Sequence, residues 1–310
     1  MKNLPALVTL LVVAGVLCAL PFLLSDYNLS LAAQVGIFFI AILGLNILTG
    51  YTGQISIGHG AFMAIGGYTT AVLSRDHHTD LVVTMLAAFA ICFAVGLIVG
   101  IPALRLSGVY LALVTFALAV SVPLIPLQYS KFLGGSGGVQ ASQTVSNLWV
   151  YVAAWSASAI LFVLAWLILR GRIGRAFRAV RDSEIAAVAS GVELPVYKTL
   201  AFGISAAYAG VAGSLFVLAT NGFAQPSEFD VFLSLELLIG AAIAGLGSLW
   251  GILAGAAFVG LLPQISTSVP VIGAEHGRDV VFGAAVILVM LLLPDGFAGL
   301  LARLRRLARA

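Results

Sequence analysis

Residues 170–198 read RGRIGRAFRAVRDSEIAAVASGVELPVYK, the long polar stretch of a chain that is otherwise almost continuously apolar. Arg170, Arg172, Arg175, Arg178 and Arg181 crowd its first half. Arginine-dense loops between spans stay on the cytoplasmic side, because guanidinium groups cross hydrocarbon at high cost. Behind the arginines comes a short helical word, DSEIAAVASG (182–191), followed by Pro195. Asp182 or Ser183 offers an oxygen to the first free N–H groups, and Gly191 suits the left-handed C′ position. Ile185, Val188, Ala189 and Val192 recur at i, i+3, i+4 and i+7, so the spacing predicts a helix with one apolar face. A helix this short is marginal alone in water. An apolar face on a solvent-side loop therefore calls for a partner surface.

Composition supports a membrane setting. Hydrophobic residues make up 61% of the chain and charged residues 9%, with a mean hydropathy of +1.13. Soluble domains carry roughly 25% charged residues, so a soluble fold of this composition lacks the polar surface to cover itself. The two cysteines, Cys18 and Cys92, sit in apolar runs and suggest neither a disulfide framework nor a metal site. The net charge of +3 comes mostly from the 170–198 loop and the tail Arg303, Arg305, Arg306 and Arg309. That pattern sets membrane orientation; a nucleic-acid partner would need a basic face with base-reading or stacking groups. Residues 1–24 carry Lys2 and an apolar run like a signal peptide, but the run is long and no small-x-small site precedes Ser25. They are expected to form the first span.

Apolar segments fall near 4–24, 30–49, 57–73, 81–104, 107–128, 148–169, 199–220, 232–247, 250–268 and 279–294. Most approach the ~20 residues that cross ~30 Å of hydrocarbon. The expected fold is an all-α integral membrane protein of about ten spans, some short or broken, forming a single permease-like domain over 1–310. With the 170–198 loop cytoplasmic, counting outward places both termini and Arg105 inside, and Asp26, 75–80, 130–147, 228–230 and 275–276 outside.

Two glycine-rich stretches interrupt the helical pattern: GYTGQISIGHGAFMAIGGY (50–68) and GAAIAGLGSLWGILAG (240–255). Non-helical backbone at membrane depth survives only inside protein or beside a wet cavity. Paired glycine-interrupted segments point to a translocation path. The other reading is close helix packing through small residues, for which Gly96–Gly100 and Gly251–Gly255 have the spacing. In the first stretch Tyr51, Thr52, Gln54, Ser56 and His59 add polar groups beyond what packing needs, so the path is favoured there. His59 also fits a buried, hydrogen-bonded role. Glu236, a few residues inside its span, suits either the path or an interfacial cap.

These residues carry a resemblance. GLNILTGYTGQISIGHGAFMAIGGYTTAVL (44–73), GRIGRAFRAVRDSEIAAVASGVELPVYKTLAFGISAAYAGVAGSLF (171–216), AAIAGLGSLWGILAGAAFVGLLP (241–263) and LLLPDGFAGLL (291–301) resemble permease subunits of branched-chain amino-acid ABC importers. The loop and the GGSGG segment (134–138) are similar to the M-type of that family's two permease types. The resemblance implies a second homologous permease, two ATP-binding subunits and an extracytoplasmic substrate-binding protein, in a bacterial plasma membrane. Residues 184–191 resemble the EAA loop that contacts the ATPases, reading EIAA here. That similarity nominates Arg178, Asp182, Glu184, Ile185, Ala186, Ala187, Val188 and Gly191 for ATPase coupling. Related systems carry urea, short amides or aromatic acids, so the family leaves the substrate open.

The chain itself is not expected to bind ATP or any other cofactor. A P-loop lysine follows glycine, whereas Lys2, Lys131 and Lys198 do not. His77 and His78 beside Asp76 and Asp80 read as a solvated loop rather than a metal site. A secondary transporter would carry several intramembrane carboxylates, and a membrane enzyme a clustered acid, base or nucleophile. The sequence has neither pattern.

Overall fold

The computed structural model describes residues 21, 24–77, 79–104, 106, 108–142, 145–267, 277–292 and 296–299. The expected first span, Arg105, His78 and the arginine tail lie outside these, apart from Pro21 and Leu24. Each of the other nine apolar segments contains a helix. They are α1 (Asp26–Leu45, continued as a π-helix over Asn46–Tyr51), α2 (His59–His77), α3 (Leu81–Ala103) and α4 (Val109–Gln128, with a 3₁₀ turn at Val122–Leu124). There follow α5 (Asn147–Arg170), the loop helices α6 (Arg172–Asp182) and α7 (Glu184–Ala189), then α8 (Leu194–Ala219), α9 (Val231–Ala244), α10 (Ile252–Thr267) and α11 (Gly277–Leu292).

By length and hydropathy, five of the described helices can cross a membrane: Asp26–Tyr51, Leu81–Ala103, Val109–Gln128, Asn147–Arg170 and Leu194–Ala219. The expectation of about ten spans is not confirmed. Helix α2 has 19 residues but carries Arg75, Asp76 and several glycines and hydroxyls, and α9, α10 and α11 have 14, 16 and 16 residues. A further departure from an all-helical chain is a two-residue antiparallel ladder, β1 (Val139–Gln140) with β2 (Phe223–Ala224).

Helices α1 and α8 are apolar all round and enclosed, as the central helices of a bundle must be. Around them pack α2 and α3 on α8, and α5 and α10 on α1. Without a hydrophobic drive between helices in lipid, close approach does the work, and small residues permit it. Gly66 of α2 lies on the Gly210 backbone of α8, and Gly213 of α8 lies on the Met63 backbone. Gly96 and Gly100 of α3 meet the Phe202–Ala206 and Thr199 turns of α8, the packing their spacing allows. Helices α3, α4 and α5 turn Leu86, Ile98, Leu113, Ile160 and Leu167 outward, where lipid would cover them.

The bundle has two distinct ends. At one, Asn147 donates to the Asp26 carbonyl at 3.3 Å, Arg75 donates to the Phe132 carbonyl at 3.0 Å, and the β ladder joins 139–140 to 223–224. At the other lie Arg170 and the loop helices. The 24-residue α5 separates the two, about 36 Å at 1.5 Å per residue. The 170–198 and 130–147 loops are thus at opposite ends, as the span count requires.

The loop holds two helices, not the single one expected. In α6, Gly174, Ala176, Phe177 and Val180 are buried, and Phe177 packs edge-on against Tyr197. Arg172, Arg175, Arg178 and Arg181 take four of the remaining positions and let this amphipathic helix lie against the bundle. Asp182 ends α6, so α7 starts two residues later than the predicted word.

Candidate functional site

The first glycine-rich stretch is a true break. Helix α1 widens into a π-helix over Asn46–Tyr51, a form common at functional sites. The backbone is then non-helical from Gly53 (φ +72°) to Gly58, before α2 starts at His59. A Cβ on Gly44 would sit 3.4 Å from His59 Nε2. The His59 imidazole thus reaches back to the level of Gly44, about two helical turns before the end of the π-helix. This is non-helical backbone within the bundle, where polar groups need protein partners.

Its own side chains supply much of that. Thr52 Oγ1 donates to the Leu48 carbonyl at 2.6 Å, and the Gln54 N–H donates to the same carbonyl at 3.3 Å. Gln54 Nε2 donates to Thr52 Oγ1 at 2.9 Å, and Thr49 Oγ1 to the Gln54 carbonyl at 3.1 Å. Ser56 Oγ accepts from the Gly58 N–H at 3.3 Å. Neighbouring helices add two bonds: Thr115 of α4 accepts from the Ile57 N–H at 3.0 Å, and Ser234 of α9 from the Gly60 N–H at 2.9 Å. His59 is enclosed, with its ring edge-on to Phe62. Tyr51, Thr52, Gln54, Ser56 and His59 are all buried, whereas Gly53 is exposed and Ile55 is 44% exposed. The polar side chains shape the break from within. The outward surface is backbone and isoleucine.

The second stretch both packs and breaks. Gly240 and Gly255 bring α9 and α10 into backbone contact, and Gly251 lies on the Ala244 carbonyl. Between the helices, Gly245 (φ +93°) and Gly247 (φ +80°) turn the chain through conformations closed to most side chains. The two breaks meet here. Asn46 Nδ2 donates to the Ser248 carbonyl at 2.7 Å, and Asn46 Oδ1 accepts from the Gly247 N–H at 2.8 Å. Gly50 lies directly on the Gly247 backbone, so a Cβ at Gly50 has no room.

Arg181, at the end of α6, closes the arrangement. Its Nη1 donates to the Gly50 carbonyl at 3.1 Å, and its Nε pairs with Asp182 at 3.1 Å. A Cβ on Gly53 would stand 3.2 Å from Arg181 Cγ, and one on Gly247 would stand 2.9 Å from Arg181 Nη1. Asn46 and Arg181 were not among the candidates from sequence. Their partners lie 202 and 131 residues away, and only the phase of Arg181 against the buried face of α6 hinted that it points inward.

Directly after Arg181 and Asp182 comes α7. Ser183 caps it by accepting from the Ala186 N–H at 3.3 Å. Gly191 (φ +80°) ends it, with the Gly191 N–H donating to the Val188 carbonyl and the Val192 N–H to the Ala187 carbonyl. Ala187 is 1% exposed and faces the bundle, whereas Ile185 is 86% and Val188 55% exposed. Glu184 pairs with the buried Lys198 of α8 at 2.6 Å, fixing α7 to a central helix. Arg178 Nη1 donates to the Leu169 carbonyl at 3.2 Å, tying α6 to the end of α5.

Glu236 lies apart from this cluster. It lines a cavity of about 760 Å³ with Gln34, Phe38, Glu228, Asp230 and Val259, between α1, α9 and α10. Burial raises the Glu228 carboxyl above its ordinary value, and a hydrogen bond with Thr220 offsets part of that. Asp230 caps α9 by accepting from the Leu233 N–H at 3.1 Å.

A lipid-facing helical bundle with two buried, mutually clasped breaks defines a multi-pass membrane protein. Residues 27–291 match the family described as branched-chain amino acid transport system / permease component, and the chain belongs to that family. It is 30% identical over 327 aligned positions to the high-affinity branched-chain amino acid transport system permease protein LivM of Escherichia coli K12, covering 94% of this chain and 73% of that protein. Over the same shares it is 29% identical to LivM of Salmonella typhimurium. It is 25% identical to the permease protein LivH of E. coli K12, over 83% of this chain and 89% of that protein. No solved structure matches the chain.

Proposed function

We propose that this chain is the permease subunit of an ATP-driven importer for branched-chain or related amino acids. It would pair with a second homologous permease, two ATP-binding subunits and an extracytoplasmic binding protein, in a bacterial plasma membrane with both termini cytoplasmic. Similarity to both LivM and LivH supports the pairing of two related permeases. The observation that carries the coupling role is α7. This capped helix is held by Glu184–Lys198 and turns Ile185 and Val188 out of the fold. Aliphatic side chains so exposed at a loop end, where no lipid covers them, are docking groups for a protein groove. ATP is bound by the partner subunits.

The translocation route runs along the first break. A zwitterionic amino acid must exchange water for polar contacts, and broken helices present backbone groups and helix ends for that purpose. Thr52, Gln54 and Ser56 hold the leg in shape through their bonds, Tyr51 and His59 are buried at its two ends, and its Gly53–Ile57 side faces the route and the partner permease. Glu236 and its cavity form a separate stretch of the same route.

The test is purification of the tagged complex in detergent. The wild-type chain should bring down a second permease and two ATPases. Ile185→Asp should keep the second permease and lose the ATPases. Retention of the ATPases by Ile185→Asp would remove α7 as the docking element.

A further inference from the structure

The geometry points to Arg181 as the positioning residue that carries the state of the docking helix to both membrane breaks. The inference rests on the docking role of α7. Three observations converge on this one side chain. Arg181 lies two residues before Ser183, the cap of α7, so a displacement of α7 reaches it through the two peptide bonds on either side of Asp182. Its guanidinium donates to Gly50, at the end of the π-helix, where carbonyls lack an intrahelical partner. The same side chain lies on Gly53 at the start of the non-helical leg and on Gly247 in the second break.

The fit requires glycine at each contact. A Cβ at Gly53 or Gly247 would press on the arginine, and a Cβ at Gly50 would strike the clasp beneath it. Asn46 ties the two breaks to each other and touches neither loop helix through the bonds it makes, so Arg181 connects that tied pair to the loop. A carbonyl–guanidinium bond of this kind is charge-assisted, strong enough to transmit a shift and exposed enough to be remade. Withdrawing α7 toward a closing ATPase pair would draw Arg181 off Gly50 and free the break to rearrange. Pushing it back restores the clasp.

The experiment uses the whole complex in proteoliposomes, with the cognate binding protein loaded with L-leucine. Basal ATP hydrolysis, its stimulation by the loaded binding protein, and leucine moved per ATP are measured. Arg181→Gln keeps polarity but ends at the level of the arginine Nε, so it loses both the charged fork and the reach to the Gly50 carbonyl. It should retain its ATPases and its basal hydrolysis while stimulation and leucine per ATP fall about ten-fold, within the usual span of coupling between sites. Arg181→Lys, which still reaches a carbonyl, should recover part of the loss. Stimulation at the wild-type level in Arg181→Gln overturns the proposal. So does an equal loss of basal and stimulated hydrolysis, which marks a purely structural role. If Arg181→Gln does not accumulate, Arg181→Lys is read by the same criteria, and wild-type stimulation and leucine per ATP in it overturn the proposal. Ile185→Asp separates the two readings. If it keeps its ATPases, the docking role falls and this proposal with it; if it loses them while Arg181→Gln stays fully coupled, only this proposal falls.

Discussion

Asn46, in the π-helical turn, closes on Gly247 from 201 positions further along, its side-chain oxygen 2.8 Å from that backbone nitrogen. The amide of the same side chain reaches the neighbouring Ser248 carbonyl, so one residue satisfies a donor and an acceptor left free by the second break. Backbone groups deprived of a partner away from water cost about 1–3 kcal/mol each. Asn46→Leu should therefore lower stability by about 2 kcal/mol or more on this account. Thermal unfolding of the purified complex checks it: a Tm clearly below wild type is expected, and an unchanged Tm would show that the breaks do not depend on the clasp.

Glu228 gives a pH signature outside the spans. Its carboxyl is held above its ordinary value by burial, so the fold favours the neutral form. The fold then loses stability as pH rises through the ordinary value of 4.5 toward the raised folded value. Glu228→Gln should match wild type in acid and exceed it at neutral pH. Equal thermal stability of the two at pH 4 and at pH 7 would contradict the assignment.

The proposed orientation, with the arginine loop inside, gives a labelling pattern. In a background lacking Cys18 and Cys92, a cysteine at the exposed position 140 should react with an impermeant maleimide from outside. A cysteine at the exposed position 185 should react only from the cytoplasm. The reverse pattern would invert the topology.

Much of this was legible in the chain. The arginine loop, the cap at Ser183 and the stop at Gly191 are local, and each depends on one residue's chemistry within a few positions of its effect. The breaks at 50–58 and 245–251 announced themselves through glycine at positions where the backbone takes φ > 0 or touches another backbone. Three things were not legible. The partner of Asn46 is set by tertiary packing, which no spacing encodes. Helix α6 carries its apolar residues at helical spacing, but the density of arginine disguised them as loop. In α7, alanine is indifferent to burial, so Ala187 facing the bundle and Ala189 facing out read alike. The polar groups at 52–59 suggested a lined path, yet their side chains are buried, and those of Thr52, Gln54 and Ser56 bond the non-helical backbone or one another, as backbone away from water requires.

This chain is proposed to pass branched-chain amino acids under the control of ATP. Uptake of radiolabelled L-leucine tests it, using proteoliposomes that hold this chain, its partner permease and two ATPases, with the binding protein added outside and ATP sealed inside. The account predicts accumulation that requires both ATP and the binding protein, and that unlabelled isoleucine or valine suppresses. A fully assembled complex that hydrolyses ATP yet takes up none of the three, or that takes up leucine on an ion gradient without ATP, would contradict it.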